Sequence, residues 1–219
     1  MAYSDFKLKE LVKQFDLNLN ENQDLFADIS EVESSEILKV ALKENAGLAV
    51  DINTEKARSE LIIAPILLEV RRQLNYQIGL FSGSEFKVAP EKGLNGTCDF
   101  LMSLSAERLF ISAPVITLVE AKKEDIKAGF GQCAAEMLAV QLFNEEEGNQ
   151  IPIIYGAVTS GTVWRFLKLE GNIVSIDAIE YYLSAVGKIL GILLSAIAGK
   201  SIVIYRHGRL QVPPLSLLL

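Results

Sequence analysis

Residues 115–123 read VITLVEAKK, and this stretch decides the fold. The run from Val115 to Val119 is almost uninterrupted in apolar character. That pattern marks a central strand covered on both faces, not one that alternates between core and water. Glu120 and Lys122 follow, two residues apart, so their side chains leave the same face of the strand while Ala121 points the other way. A glutamate and a lysine at the end of a buried strand are costly unless they are paired or exposed.

Working outward, Asp99 lies inside the preceding strand-like run TCDFLMSLS (97–105). Residues 105–114 connect the two runs. If they pair as neighbours, Asp99 comes to sit beside Glu120. Two adjacent carboxylates repel, and the usual remedies are a shared proton or a divalent cation. Hard oxygen ligands favour Mg2+ or Mn2+. Before Asp99, the run LFSGSEFKVA (80–89) reads as a further strand, and PEKGLNG (90–96) carries turn chemistry.

The helices frame these strands. Asn53-Thr54 can cap a helix of about five turns over 54–75, with Pro65 expected to kink it or lift one hydrogen bond. Residues 125–131 lead into a helix, GQCAAEMLAVQLFN (131–144). The chain then returns as the strand IPIIYGAVTSG (151–161), followed by a hairpin over 163–177 and a last helix from about Ala178 to Gly199. Ahead of all this, Phe6 to Phe15 have helical spacing, residues 18–22 break it, and a second helix runs from Ser34 or Ser35 to a stop at Asn45-Ala46-Gly47. The order is helix, three strands, helix, strand, which predicts an α/β fold with a mixed sheet.

Asp99, followed about twenty residues later by Glu120-Ala121-Lys122, resembles the D…(D/E)-x-K signature of the PD-(D/E)XK nuclease superfamily. SELI..P (59–65) ahead of it is similar to the N-terminal nuclease domain of type I restriction R subunits. The resemblance covers residues 53–165. It implies a restriction-endonuclease-like core (αβββαβ, a mixed central sheet flanked by helices), with extra N-terminal helices and a C-terminal hairpin and helix. Residues 1–50 would then be a helical extension packed on the core, and 51–219 the nuclease-like domain. The proline of the family name is absent, since Thr97 and Cys98 precede Asp99.

The resemblance also implies roles. Asp99, Glu120 and the Ala121 carbonyl would hold Mg2+ or Mn2+, with Glu60 completing the shell. Lys122 would position or help deprotonate the attacking water. Gln132 would orient Lys122 or that water. Glu69 is an alternative to Glu60, and Glu136, one turn after Gln132, is an alternative to it.

Composition bounds the rest. Of the 219 residues half are apolar, and the formal net charge is -7. Domains that hold a phosphate backbone are usually basic. The first fifty residues, however, carry -5 of that charge. Two cysteines, Cys98 and Cys133, and one histidine, His207, allow neither a disulfide framework nor a closed Cys/His zinc site. The start, MAYSDFKLKE, lacks the apolar run of a signal peptide, and the apolar stretch 189–199 is too short to span a bilayer. A cytoplasmic protein with no membrane contact is expected.

Competing readings stand beside these. The acids and Lys122 also suit a surface salt-bridge cluster, and Glu60 a solvated helix face beside Lys56 and Arg58. Cys98, Cys133, Trp164 and Phe166 read as core. Lys123, Lys127, Arg71 and Arg72 are candidates to meet phosphate. Gly187 and Gly191 suit either core or a subunit contact. The leading expectation is a metal-dependent nuclease on nucleic acid, taken as DNA, acting as a homodimer or with a protein partner. The alternatives are a nuclease-fold module that binds without cutting, or an interaction domain in which the acids are incidental.

Overall fold

A computed structural model describes residues 1–122 and 125–198, with the backbone of 205–206 and 209–210. Lys123 and His207 lie outside the described residues. In chain order the elements are α1 (Leu8–Gln14), β1 (Asn18–Asn20), α2 (Glu36–Ile52), α3 (Glu55–Arg58), α4 (Ala64–Gln73), β2 (Gly79–Ala89), β3 (Leu94–Ser103), β4 (Val115–Ala121), α5 (Ile126–Glu146), β5 (Ile154–Thr159), β6 (Val163–Glu170), β7 (Ile173–Ile176), β8 (Tyr181–Tyr182) and α6 (Val186–Ala198). Residues 205–206 and 209–210 form a separate antiparallel pair.

The protein is mixed α/β. One sheet runs in the order β1-β7-β6-β5-β4-β3-β2, with β8 also on β6. β2, β3 and β4 form an antiparallel meander. The chain then crosses through α5 to place β5 parallel to β4, because a parallel neighbour needs a long connection. β6 and β7 continue antiparallel. β4 is therefore internal, as its apolar run requires.

Helices cover both faces of this sheet. On one, α5 and the N-terminal residues Tyr3, Phe6 and Leu11 pack on Cys98, Leu101, Val158 and Leu167. On the other, Ile62, Ile66 and Val70 meet Phe100, Val119, Trp164 and residues of α6. Trp164 and Phe166 are core, as their spacing suggests. Among the described residues no helix is long and apolar enough to cross a membrane.

Several boundaries differ from the sequence reading. α2 runs through Asn45 and Gly47 and stops at Asn53, whose φ of 52° is left-handed. Gly47 costs the helix about 1 kcal/mol but does not end it. The real stop is the asparagine that tolerates the reversed backbone. Thr54 then caps the next helix, its hydroxyl accepting from the Ala57 N–H, as expected. Pro65 disturbs the hydrogen-bond ladder just ahead of itself, as expected. A π-helical turn, Ser59–Ile63, precedes it, and the Ala64 N–H bonds to the Ser59 carbonyl. That wider turn takes up the strain that proline imposes on the preceding carbonyls. α5 begins at Ile126, five residues before Gly131, capped by Asp125. The last helix begins at Val186, because residues 181–182 first pair with β6.

The N-terminal segment is more than two helices laid on a core. β1 joins the sheet as a parallel partner of β7. A side-chain carbon at Gly131 would lie 2.3 Å from the Phe6 carbonyl oxygen, and one at Gly191 would lie 2.2 Å from that of Ser30. Only glycine permits such backbone approach. Gly187 accepts the Val32 N–H at 2.9 Å. The two glycines of α6 thus receive the chain's own N-terminal segment.

Candidate active site

The register of β3 on β4 pairs Phe100 with Val119, so Asp99 stands opposite Glu120 one step further on. An Asp99 carboxylate oxygen accepts the Ala121 N–H at 2.8 Å, which ties the two strand ends together. Val119 and Ala121 face the α4/α6 core, so Glu120 and Lys122 face α5. The Lys122 ammonium donates to Glu120 at 2.5 Å and to the Gln132 side-chain oxygen at 3.2 Å. The Gln132 amide nitrogen donates in turn to Glu136 at 3.0 Å. Four residues read as a site from sequence thus converge: Asp99, Glu120, Lys122 and Gln132. They do not form a surface salt-bridge cluster, because Glu120 is only 1% exposed.

The Lys122 stem crosses α5 at Gly129. A side-chain carbon there would sit 3.1 Å from the Lys122 Cγ and 2.6 Å from a Val158 methyl. Gly129 therefore opens the space through which the lysine reaches its partners.

Glu60 occupies a different position. It lines a cleft of about 290 Å3 together with Glu55, Ser59, Ser82 and Asp99. It is solvent-exposed and lies 3.8 Å from Lys56. It thus shares an opening with Asp99 without touching the buried group. The alternative acid, Glu69, belongs elsewhere. It is buried, accepts the Ser35 N–H and hydroxyl, and pairs with Arg72 and Gln73. Its task is to anchor the start of α2. Arg71 is likewise occupied, donating to the Ile78 carbonyl and lying over the Tyr76 ring. Lys127 is exposed.

Electrostatics follow from burial. Desolvation, and then the Asp99 carboxylate, push Glu120 up to about 7 against the pull of Lys122. Asp99 is raised by burial, opposed by the Ala121 N–H and by Lys122. Burial, and then Glu120, hold Glu136 well above the usual carboxylate range. Burial disfavours the charge on Lys122, yet Glu120, Glu55 and Asp99 together raise it. One ammonium thus serves a crowd of carboxyls. The thiols of Cys98 and Cys133 are pushed up by burial, which fits core residues, not nucleophiles.

The donor set suits a hard cation. One Glu120 oxygen is buried without a hydrogen-bond partner, beside a second carboxylate. Buried polar atoms without partners are uncommon, and a missing ion is one of the usual reasons. Among the described residues, however, no three Asp, Glu, His or Cys side chains are already gathered as a metal cluster. Glu136 and Gly129 are the residues whose roles the sequence left least defined. The signal for Glu136 was an acid inside the small apolar run CAAEMLA.

The chain matches no protein-family model, and no curated protein or solved structure is similar to it.

Proposed function

We propose that this protein is a metal-dependent phosphodiester hydrolase acting on nucleic acid, with a restriction-endonuclease-like core. What carries the reading is the meeting of Asp99, Glu120 and Lys122 at adjacent strand ends, beside an acidic cleft. The element order from α3–α4 through the meander and α5 to β5 agrees with it. Asp99, Glu120 and the Ala121 carbonyl would hold Mg2+ or Mn2+, with Glu60, which lines the same cleft as Asp99, completing the shell. The ion supplies Lewis acidity and a more acidic bound water. Lys122 brings a fixed positive charge to the attacking water and to the negative charge that grows on the phosphoryl oxygens. Gln132 holds Lys122 from the α5 side. DNA is the substrate we favour, with the chain acting as a homodimer or with a protein partner; a second copy brings the same charge of -7, so a basic surface would come from a separate partner.

A second reading is a module of the same fold that binds a protein or nucleic acid without cutting. It is favoured by the tight Lys122–Glu120 bond, which already occupies the ammonium. Incubation with supercoiled plasmid, single-stranded DNA and RNA under Mg2+ and Mn2+ decides between the two. Metal-dependent cleavage supports the hydrolase. Metal-dependent binding without cleavage supports the module and overturns the hydrolase.

A further inference from the structure

Among the described residues, the buried carboxyls away from the site, Glu69 and Asp177, are engaged by several donors. Glu69 has Ser35, Arg72 and Gln73. Asp177 accepts from the Leu25 and Ile179 N–H groups and the Tyr181 hydroxyl. Glu136 is different. It is completely buried, it receives one hydrogen bond from Gln132, and its other oxygen meets no donor, its carboxyl lying against that of Glu120. Its neighbours in the helix are small and apolar, so packing alone would be served by leucine. A buried carboxyl with one donor lowers stability relative to an apolar side chain of similar size.

What Glu136 does is visible in the Gln132 amide. That amide has one acceptor and one donor group, and the Lys122 ammonium can only donate. Gln132 must therefore turn its oxygen to Lys122, which leaves its NH2 pointing into the protein. Glu136 is the acceptor that the NH2 meets there. Without it, the NH2 is left buried and unpaired, or the amide turns over and sets donor against donor.

We propose that Glu136 is a positioning residue of this site, whose carboxyl takes the Gln132 amide donor and thereby keeps the Gln132 oxygen on the Lys122 ammonium. Its effect on cleavage rests on the hydrolase reading above. Its effect on Lys122 does not.

The test uses the full chain with Glu136→Leu and Glu136→Gln. Acylation of Lys122 by an amine reagent is followed by peptide mass spectrometry, and plasmid cleavage with Mn2+ is followed in parallel. In Glu136→Leu, Lys122 acylation rises about tenfold as one hydrogen bond to a charged group loses its support. Its kcat falls about 10- to 100-fold with little change in KM. Glu136→Gln keeps an acceptor and restores both. A purely structural residue would be replaced by leucine as well as by glutamine. A folded Glu136→Leu protein with unchanged Lys122 acylation overturns the proposal. Should that variant fail to fold, the unaltered chain still decides. Its Gln132 side-chain NH2 exchanges slowly with solvent if Glu136 holds it, and exchange as fast as a free glutamine overturns the proposal. If the unaltered protein cuts nothing, the hydrolase reading falls, while acylation and exchange still judge Glu136.

Discussion

Lys122 and Glu120 leave one strand end on the same face, and the half-buried ammonium meets the buried carboxylate at 2.5 Å. The period of two along a strand makes this pair inevitable once β4 is buried. It also means that Lys122 and any bound cation would compete for the Glu120 carboxylate. Several measurable consequences follow from that competition.

Lys122→Ala removes the fixed cation. Mn2+-dependent nicking of supercoiled plasmid falls by about 10²- to 10³-fold, the usual loss when one oriented donor is taken from a reacting phosphoryl or carbonyl centre. Gel analysis of the nicked form measures it. Nicking at the parent rate would remove Lys122 from the site.

Asp99→Ala and Glu120→Ala each abolish Mn2+ binding, read by calorimetric titration, while circular dichroism stays that of the parent. Unchanged affinity in both variants would sink the assignment of these acids. Glu60→Ala, whose side chain stands in solvent, weakens binding without abolishing it.

Glu120 sets a pH dependence in the metal-free protein. Its carboxyl titrates near 7, above the ordinary 4.5. Between those values the folded protein holds a proton that the unfolded chain has lost, so stability falls as pH rises through this window. One proton corresponds to about 1.4 kcal/mol per pH unit. Urea denaturation from pH 4.5 to 7 measures the slope, and Glu120→Gln makes it shallower. Identical slopes in parent and variant would contradict the shift.

Glu69→Ala leaves Arg72 without its carboxylate and α2 without its anchor. Stability falls by about 3 kcal/mol, as for other broken buried pairs. Nicking activity at low temperature is preserved, because Glu69 has no contact with the site. Loss of activity in a folded Glu69→Ala protein would return it to the list of candidate ligands.

The sheet and its site were largely legible because they obey strict periods. The run VITLV before Glu120, four of its five residues apolar, announced a buried strand, and a two-residue spacing fixed which side chains share a face. The pairing of Asp99 with Glu120 followed from the meander alone. The rest depended on contacts far apart in the chain. Nothing local in residues 18–20 marks a strand, since their pairing comes from β7. Gly129 reads as an ordinary helical glycine until the Lys122 stem is laid across it. Glu60 and Glu69 both fit the spacing of the first helix, and only the π turn and the position of α2 separate an exposed acid from a buried one.

The pairing of β1 with β7 also gives the molecule an order of assembly. Asn18 is synthesised 155 residues ahead of Ile173, its partner in the sheet. The first strand made must wait for nearly the last, and a contact of such separation is slow to form. Until then one border of the growing sheet stays open to any other chain that offers a strand. A protein shortened from its N-terminus would keep that border open for good, and would associate through it.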